Sequence, residues 1–423
     1  MYEILKTYRT SDVSKKIKNN IRENRCGDFE ITFLNENGTP LIDKVIGIKQ
    51  VFHDFRFGAN CFMVDELETE EKNSKYQESF SKLFNIATLP FYWHTLEPER
   101  GKLRFDKNSP KCYRRPAIDR LIEFCRGNNI EPKGHCLNYE PYVPEWAKEL
   151  DYSEYKMALE LRMKTIAERY ADDIHDFEVM NEIFQRKEWE TAIRKDVEWS
   201  FTTARKFFKK NKLIINEGQN VWADHLNGNS QYFDLIKENL ENNVPIDGVG
   251  VQAHLMWVTP EALNPYNLWS FFEKYEKLGL PLSITEVTIP SVFNNKIDEE
   301  MQAEVLEYLY SLWFGIKGME AIIYWNLIDG YAYGAQPGDM TVGENVFRGG
   351  LLNFDVSEKI AYKVLDKLIN KEWKTDVIGK TDENGRVMFN GFYGGYEVCL
   401  NYDDKVIKKT IALNKNHLQV VML

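Results

Sequence analysis

The chain has 423 residues, 43% of them apolar, which is enough to bury a large core and more than one ordinary domain needs. A net charge of −11 repels polyanions, so no nucleic-acid or anionic membrane partner is expected and a neutral substrate is easier to accommodate. Its six cysteines (Cys26, Cys61, Cys112, Cys125, Cys136, Cys399) include no CxxC pair and no close-spaced framework, so neither zinc nor a disulfide scaffold is suggested.

The first residues hold no apolar run long enough for a signal peptide, and no later segment approaches the roughly 18 uncharged apolar residues of a membrane span. As the sequence stands a cytoplasmic protein is expected, or a secreted one if a leader has been removed. Asp28 to Val51 alternates like strands around the turn Asn35-Glu36-Asn37-Gly38. From about residue 57 to 371, short apolar runs then alternate with longer helix-patterned segments, as in βα units. The predicted strands are Phe57 to Phe62, Phe84 to Thr88, Glu131 to Leu137, Asp176 to Asn181, Leu213 to Asn216, Gly248 to His254, Leu282 to Val287 and Ala321 to Asn326. Helices are predicted between them, for example over Ser153 to Tyr170 and Glu299 to Gly315. Eight alternations favour a closed α/β barrel, a (β/α)8 TIM barrel, over an open doubly wound sheet, and the absence of GxGxxG and Walker motifs removes support for nucleotide binding. Lys374 to Leu423 again alternates, around Asp382-Glu383-Asn384-Gly385. The expected organisation is an N-terminal segment (1–52), a barrel (53–373) and a C-terminal β module (374–423), with the two flanks pairing into a small β-sandwich-like annex.

Active sites of such barrels lie at the carboxyl ends of the strands, and several of those ends are loaded here. The third carries Gly134-His135, placed to meet a sugar hydroxyl. The fourth runs into Asn181-Glu182, the sixth ends Gln252-Ala253-His254, the seventh runs into Glu286 and the eighth carries Tyr324-Trp325-Asn326. Glu182 and Glu286 thus project into one mouth from opposite sides of the ring. Glycoside hydrolysis needs that arrangement, because one carboxyl protonates the leaving oxygen while the other attacks or activates water from the opposite face of the sugar. Glu286 must be ionised to attack and Glu182 protonated to donate, which predicts a bell-shaped pH dependence. Asn181 can donate its amide to a hydroxyl beside the reacting carbon. His254, by this reading, bonds Glu286 and keeps it ionised, Gln252 reaches the sugar, and Trp325 floors the pocket; the plainer alternatives are a satisfied core histidine and barrel packing. Aromatic residues make up 13% of the chain, which suits sugar stacking and equally suits a large core.

Taken together, these segments resemble glycoside hydrolase family 10, the endo-β-1,4-xylanase family, from about Phe52 to Leu368. Phe55-Arg56-Phe57-Gly58 resembles the family's first strand and Trp93-His94-Thr95-Leu96-Glu97-Pro98-Glu99-Arg100-Gly101 its W-x-x-x-E-P-x-x-G loop. Gly134-His135-Cys136-Leu137 with Pro144-Glu145-Trp146, Val179-Met180-Asn181-Glu182, Gly250 to Leu255, Ile284-Thr285-Glu286 and Trp325 to Asp329 follow in chain order. The resemblance implies a retaining mechanism with Glu182 as acid/base and Glu286 as nucleophile, and His135, Asn181, Gln252, His254 and Trp325 around the sugar being cleaved. The next glycone subsite departs from the pattern: the family's E-N-x-M-K-W reads Thr88-Leu89-Pro90-Phe91-Tyr92-Trp93, its W-H-S-Q reads Tyr139-Glu140-Pro141-Tyr142, and a second Trp after the eighth strand becomes Tyr333. Tyr92, Tyr139 and Tyr333 are therefore also candidate substrate-binding residues.

The expected function is retaining hydrolysis of β-1,4-linked xylan or xylo-oligosaccharides. A different β-linked glycan is the first alternative because of the altered subsite, and a non-catalytic carbohydrate-binding barrel is the second. The partner is an oligosaccharide or polysaccharide; no metal or organic cofactor is implied, since two carboxylates and water suffice. The C-terminal module resembles small β modules appended to some relatives, with packing favoured over carbohydrate binding as its role.

Overall fold

The computed structural model describes residues 2–185, 190–402, 405–414 and 419–422. Two strands, β1 (Cys26–Leu34) and β2 (Val45–His53), precede the eight that close the barrel. These are β3 (Arg56–Asn60), β4 (Ile86–Pro90), β5 (Glu131–Asn138), β6 (Asp176–Asn181), β7 (Lys212–Glu217), β8 (Gly248–His254), β9 (Leu282–Thr288) and β10 (Met319–Tyr324). They pair in parallel, in chain order, and β10 returns to β3. Every residue of β6, β8 and β9 is buried, because helices cover the outside of the ring while side chains fill its inside. That double burial is why these strands read as apolar runs rather than alternations.

Strand limits differ from expectation by a residue or two. The N–H of Phe84 still bonds the carbonyl of Phe80, closing helix Glu70–Leu83, so β4 begins only at Ile86. The N-terminal rim is tied by charge: the Arg56 guanidinium meets Asp176 and Glu320, each at 2.6 Å, and Lys212 also reaches Glu320. These four residues stand at or next to the starts of β3, β6, β10 and β7, far from the mouth.

Strands from both flanks share each sheet of the annex. β1 lies between β12 (Arg386–Phe392) and β15 (Gln419–Met422), and β2 lies between β11 (Asp376–Lys380) and β13 (Gly394–Tyr402), which pairs in turn with β14 (Lys405–Leu413). Alternation supplies its core: Phe29, Ile31 and Phe33 from β1 face Tyr396, Val398 and Leu400 from β13 in one apolar cluster. In the turns, Asn35 Oδ1 accepts the N–H groups of Asn37 and Thr39, Asp382 Oδ1 accepts those of Asn384 and Arg386, and Gly38 and Gly385 take φ of 75°. Left-handed φ at these positions is what glycine supplies without a Cβ clash.

Residues 2–25, grouped by sequence with the annex, instead form helices Tyr2–Tyr8 and Ser11–Arg25 on the barrel wall. Leu5, Tyr8, Val13 and Ile17 join the barrel core, and the Arg25 guanidinium caps the carbonyls of Phe314, Ile316 and Met319. The annex docks on the N-terminal face of the barrel, where Trp373 stacks on Phe314 and Phe57 and the His53 ring wedges beside them. Burial there pushes the His53 pKa down to about 3. Among the described residues, no helix is long and apolar enough to cross a membrane.

Candidate active site

All ten candidate residues line one cleft of about 530 Å³ at the carboxyl ends of the strands: Tyr92, His135, Tyr139, Asn181, Glu182, Gln252, His254, Glu286, Trp325 and Tyr333. Glu182 follows the last residue of β6 with φ 51°, in the left-handed region that a non-glycine residue seldom adopts. Its N–H bonds the carbonyl of Asn216 at 3.1 Å, so β7 holds the kink that turns the carboxylate into the cleft. Such a conformation persists where the surroundings over-determine it, and functional sites are where it is commonly found.

Glu286 is 3% exposed and receives hydrogen bonds on both oxygens. His254 Nε2 lies 3.2 Å from Oε2, with the other ring nitrogen 2.9 Å from Thr288 Oγ1. Gln252 Nε2 donates to Oε1 at 3.0 Å, and Asn216 Nδ2 stands 3.4 Å from the same atom. Asn216 is itself held by Thr285 Oγ1 at 2.6 Å, and it fits only because residue 250 is glycine: a Cβ there would come within 2.5 Å of Asn216 Oδ1.

Gln252 does more than sequence position suggested. Its Nε2 is also 2.9 Å from Glu182 Oε1, so one amide group bridges the two carboxylates. The two Oε1 atoms sharing this donor can stand no more than about 6 Å apart, a close approach of the kind a retaining pair uses. Asn181 Oδ1 accepts from Asn216 at 2.7 Å and Gln252 at 3.3 Å, which leaves its amide nitrogen as the donor for a ligand. Tyr139, from the loop after β5, donates to Glu182 Oε2 at 2.5 Å.

The electrostatics depart from expectation at Glu286. Burial raises its pKa and outweighs the opposing pull of His254 and His135; Glu182 adds to the rise by repulsion. For His254, burial alone would lower the pKa, but the hydrogen bond and charge of Glu286 dominate and raise it. The pair is thus mutually supporting: the imidazole favours the carboxylate and the carboxylate favours the imidazolium. Glu217, at the end of β7, was not singled out by sequence. It accepts the N–H groups of Gly218 at 2.8 Å and Phe184 at 3.1 Å, fixing the turn that follows Glu182, and burial raises its pKa to about 7.

His135 differs from the sugar-contacting role expected of it. Its Nδ1 meets Glu178 and its Nε2 lies 3.0 Å from the Tyr92 hydroxyl, so both ring nitrogens already have protein partners. Glu178 is wholly buried, which works against its ionisation, yet Lys133 and His135 hold its pKa down at about 2. The tyrosine that replaces the family's glycone lysine thereby caps the histidine.

Phe62, Tyr92 and Trp325 form an aromatic cluster apart from the main core, joined by Tyr139 and Tyr142. Trp325 meets Phe62, His135 and His254 edge to face, leaving it as a wall of the cleft rather than barrel packing. Sequence reading missed Arg114, Arg115 and Glu344, which also line the cleft. The arginines come from the loop after β4 and Glu344 from a short 3-10 helix, Gly343–Phe347, beyond β10, where neither period nor spacing marks a residue. The W-x-x-x-E-P-x-x-G segment proves to be scaffold: Trp93 Nε1 donates to Glu97 Oε2 at 2.9 Å, Gly101 N to Oε1 at 2.7 Å, and Trp146 Nε1 to the Glu97 carbonyl at 3.0 Å. Among the described residues, no cluster of three His, Cys, Asp or Glu side chains could hold a metal ion.

Comparison with known proteins bears on the family and the fold. The sequence profile of "Glycosyl hydrolase family 10" matches residues 48–367. Endo-1,4-beta-xylanase 1 of Arabidopsis thaliana is 24% identical over 409 residues, covering 95% of this chain and 39% of the relative. The anti-sigma-I factor RsgI6 of Acetivibrio thermocellus is 24% identical over 405 residues, covering 94% of this chain and 47% of that protein. The chain therefore spans less than half the length of these two relatives. The crystal structure of xylanase 10B from Thermotoga petrophila RKU-1 in complex with xylobiose shares the fold, with a TM-score of 0.60 at 24% identity over 75% of this chain and 95% of that one. Because the profile match runs across all eight barrel strands and the mouth they build, the chain belongs to glycosyl hydrolase family 10.

Proposed function

We propose that this protein is a retaining glycoside hydrolase acting on β-1,4-linked xylan or xylo-oligosaccharides by double displacement. The observation that supports the reading is the Gln252 amide, bonded at once to Glu182 and Glu286, which keeps one oxygen of each carboxylate close to the other, as double displacement needs. In the first step a Glu286 oxygen attacks the anomeric carbon as the glycosidic C–O bond breaks, and Glu182 gives its proton to the departing oxygen. Esterification removes the Glu286 charge, so Glu182, now ionised, can take a proton from water as that water attacks the anomeric carbon. The ester C–O bond then breaks, returning Glu286 as carboxylate and Glu182 as acid. Asn181 Nδ2 serves the hydroxyl beside the reacting carbon, and the xylanases among the relatives support the choice of sugar.

Product analysis on unbranched xylo-oligosaccharides and a panel of other β-glycans, with wild type beside Glu286→Ala, tests the reading. Cleavage with retained anomeric configuration, silent in the variant, is expected; inversion overturns the mechanism, and cleavage of another glycan alone overturns the substrate. The alternative of a carbohydrate-binding barrel without turnover predicts saturable binding with no products in the same assay.

A further inference from the structure

Arg114 and Arg115 stand on the Tyr92 side of the cleft and are 2% and 3% exposed. The other guanidinium groups withdrawn from solvent make several bonds each: Arg162 donates to the carbonyls of Leu137, Phe91 and Cys136, with Nη1 alone unpartnered. Arg56 meets two carboxylates, and Arg104 spends its nitrogens on the carbonyls of Thr95, Pro110 and Arg115. By contrast, Arg114 makes a single side-chain hydrogen bond, Nη2 to Asn326 Oδ1 at 2.7 Å, and its Nε and Nη1 have no acceptor. Arg115 donates from Nη1 to the Arg114 carbonyl at 2.8 Å, and its Nε has none. Neither forms an ion pair with a carboxylate among the described residues. Glu344, an acidic residue of the same cleft, accepts instead from the Asn326 amide that Arg114 uses, at 2.7 Å.

The Arg115 guanidinium lies 4.1 Å from the Tyr92 ring centre, with Phe62 at 5.0 Å and Tyr333 at 5.1 Å. Ring faces offset part of the cost of desolvating a cation and leave the planar edge for an oxyanion. Two buried cations beside the cleft, each with donor nitrogens that lack an acceptor, in a chain whose net charge is −11, make a local positive field against the protein's overall one.

We propose that Arg114 and Arg115 form an anion subsite on the glycone side of the cleft, which takes an oxyanion carried by the β-linked sugar: the carboxylate of a uronic acid or a phosphate ester. The proposal rests on the reading of this cleft as a glycosidase site. It would make the altered glycone subsite one for acidic sugars, with bidentate guanidinium contacts in place of contacts to neutral hydroxyls.

The test compares a β-linked xylo-oligosaccharide bearing glucuronic acid on its glycone side with the same compound after reduction of the carboxyl to the alcohol. A glycone-phosphorylated β-glycoside and its unphosphorylated form give the second arm. For wild type, kcat/KM should favour one acidic member over its neutral counterpart by about 10- to 100-fold, and added salt should shrink the ratio. Arg114→Gln and Arg115→Lys should each bring that ratio towards one, with thermal melting recorded beside each to show a folded chain. Ratios near one in both arms for wild type overturn the subsite while leaving the hydrolase reading intact. If no compound is cut, the hydrolase reading fails, and equilibrium binding of the same pairs to wild type decides the subsite alone. Tighter binding of an acidic member supports it and equal binding overturns it.

Discussion

The two ends of the barrel are built on opposite terms. At the N-terminal face the charges of Arg56, Asp176, Lys212 and Glu320 neutralise one another, and aromatic rings from the annex and barrel close the base. At the mouth, the buried Glu286 stands close to the half-buried Glu182, Glu182 is held at left-handed φ, and Arg114 and Arg115 keep donors without acceptors. The first arrangement minimises free energy; the second keeps unsatisfied groups in place for a ligand. Substitutions at the mouth should therefore change turnover with little loss of stability, and those at the base or annex should do the reverse.

The sharpest expected contrast is Glu286→Ala, which should lower kcat by about six orders of magnitude, the scale reached when a covalent nucleophile is removed, while the melting temperature holds or rises. A large fall in melting temperature would break the comparison. Glu182→Ala should cost about 10²- to 10⁴-fold on natural glycosides and much less on substrates with good leaving groups, as steady-state kinetics on the two classes would show. His254→Ala removes a donor to the Glu286 carboxylate and should cost about 10- to 100-fold in kcat/KM. It should also move the acidic limb of the pH profile upward, because burial already raises the Glu286 pKa and the imidazole is what opposes it. An unmoved limb would show that His254 only packs.

In the annex, Leu400→Ala should destabilise by about 2–5 kcal/mol in denaturant titrations, with kcat per folded molecule unchanged. The smallest effect concerns stability against pH. Glu217 is raised from 4.5 to about 7 in the folded state, so the folded chain holds the proton more tightly. Its contribution is fully present below pH 4.5 and is lost as pH rises through about 7, on the order of 3 kcal/mol in all. Glu217→Gln should flatten that slope in melts taken across this window; an unchanged slope would place the titrating group elsewhere.

The eight barrel strands were legible because each is buried on both faces and so appears as an apolar run closed by turn residues. Residues at strand ends were legible for the same reason: once Asn181-Glu182 and Gln252-Ala253-His254 are placed at the carboxyl ends of β6 and β8, geometry aims them at the mouth. Helix Ser11–Arg25 escaped notice because only Val13 and Ile17 are buried on it, too sparse an apolar face to stand out among charged residues. Arg114 and Arg115 escaped because a dibasic pair in a loop reads as solvated surface.

By itself, then, the sequence determined the closed α/β barrel, the flanking strands and the residues that meet at the mouth, since hydrophobic period and position along a strand are local properties. Only the tertiary structure decided that Gln252 would bridge both carboxylates, that Tyr92 would cap His135, and that two arginines would be buried without counter-charges. Those outcomes depend on side chains from different strands and loops converging within hydrogen-bond range, and on water being excluded around them, and neither is encoded in any one stretch of chain.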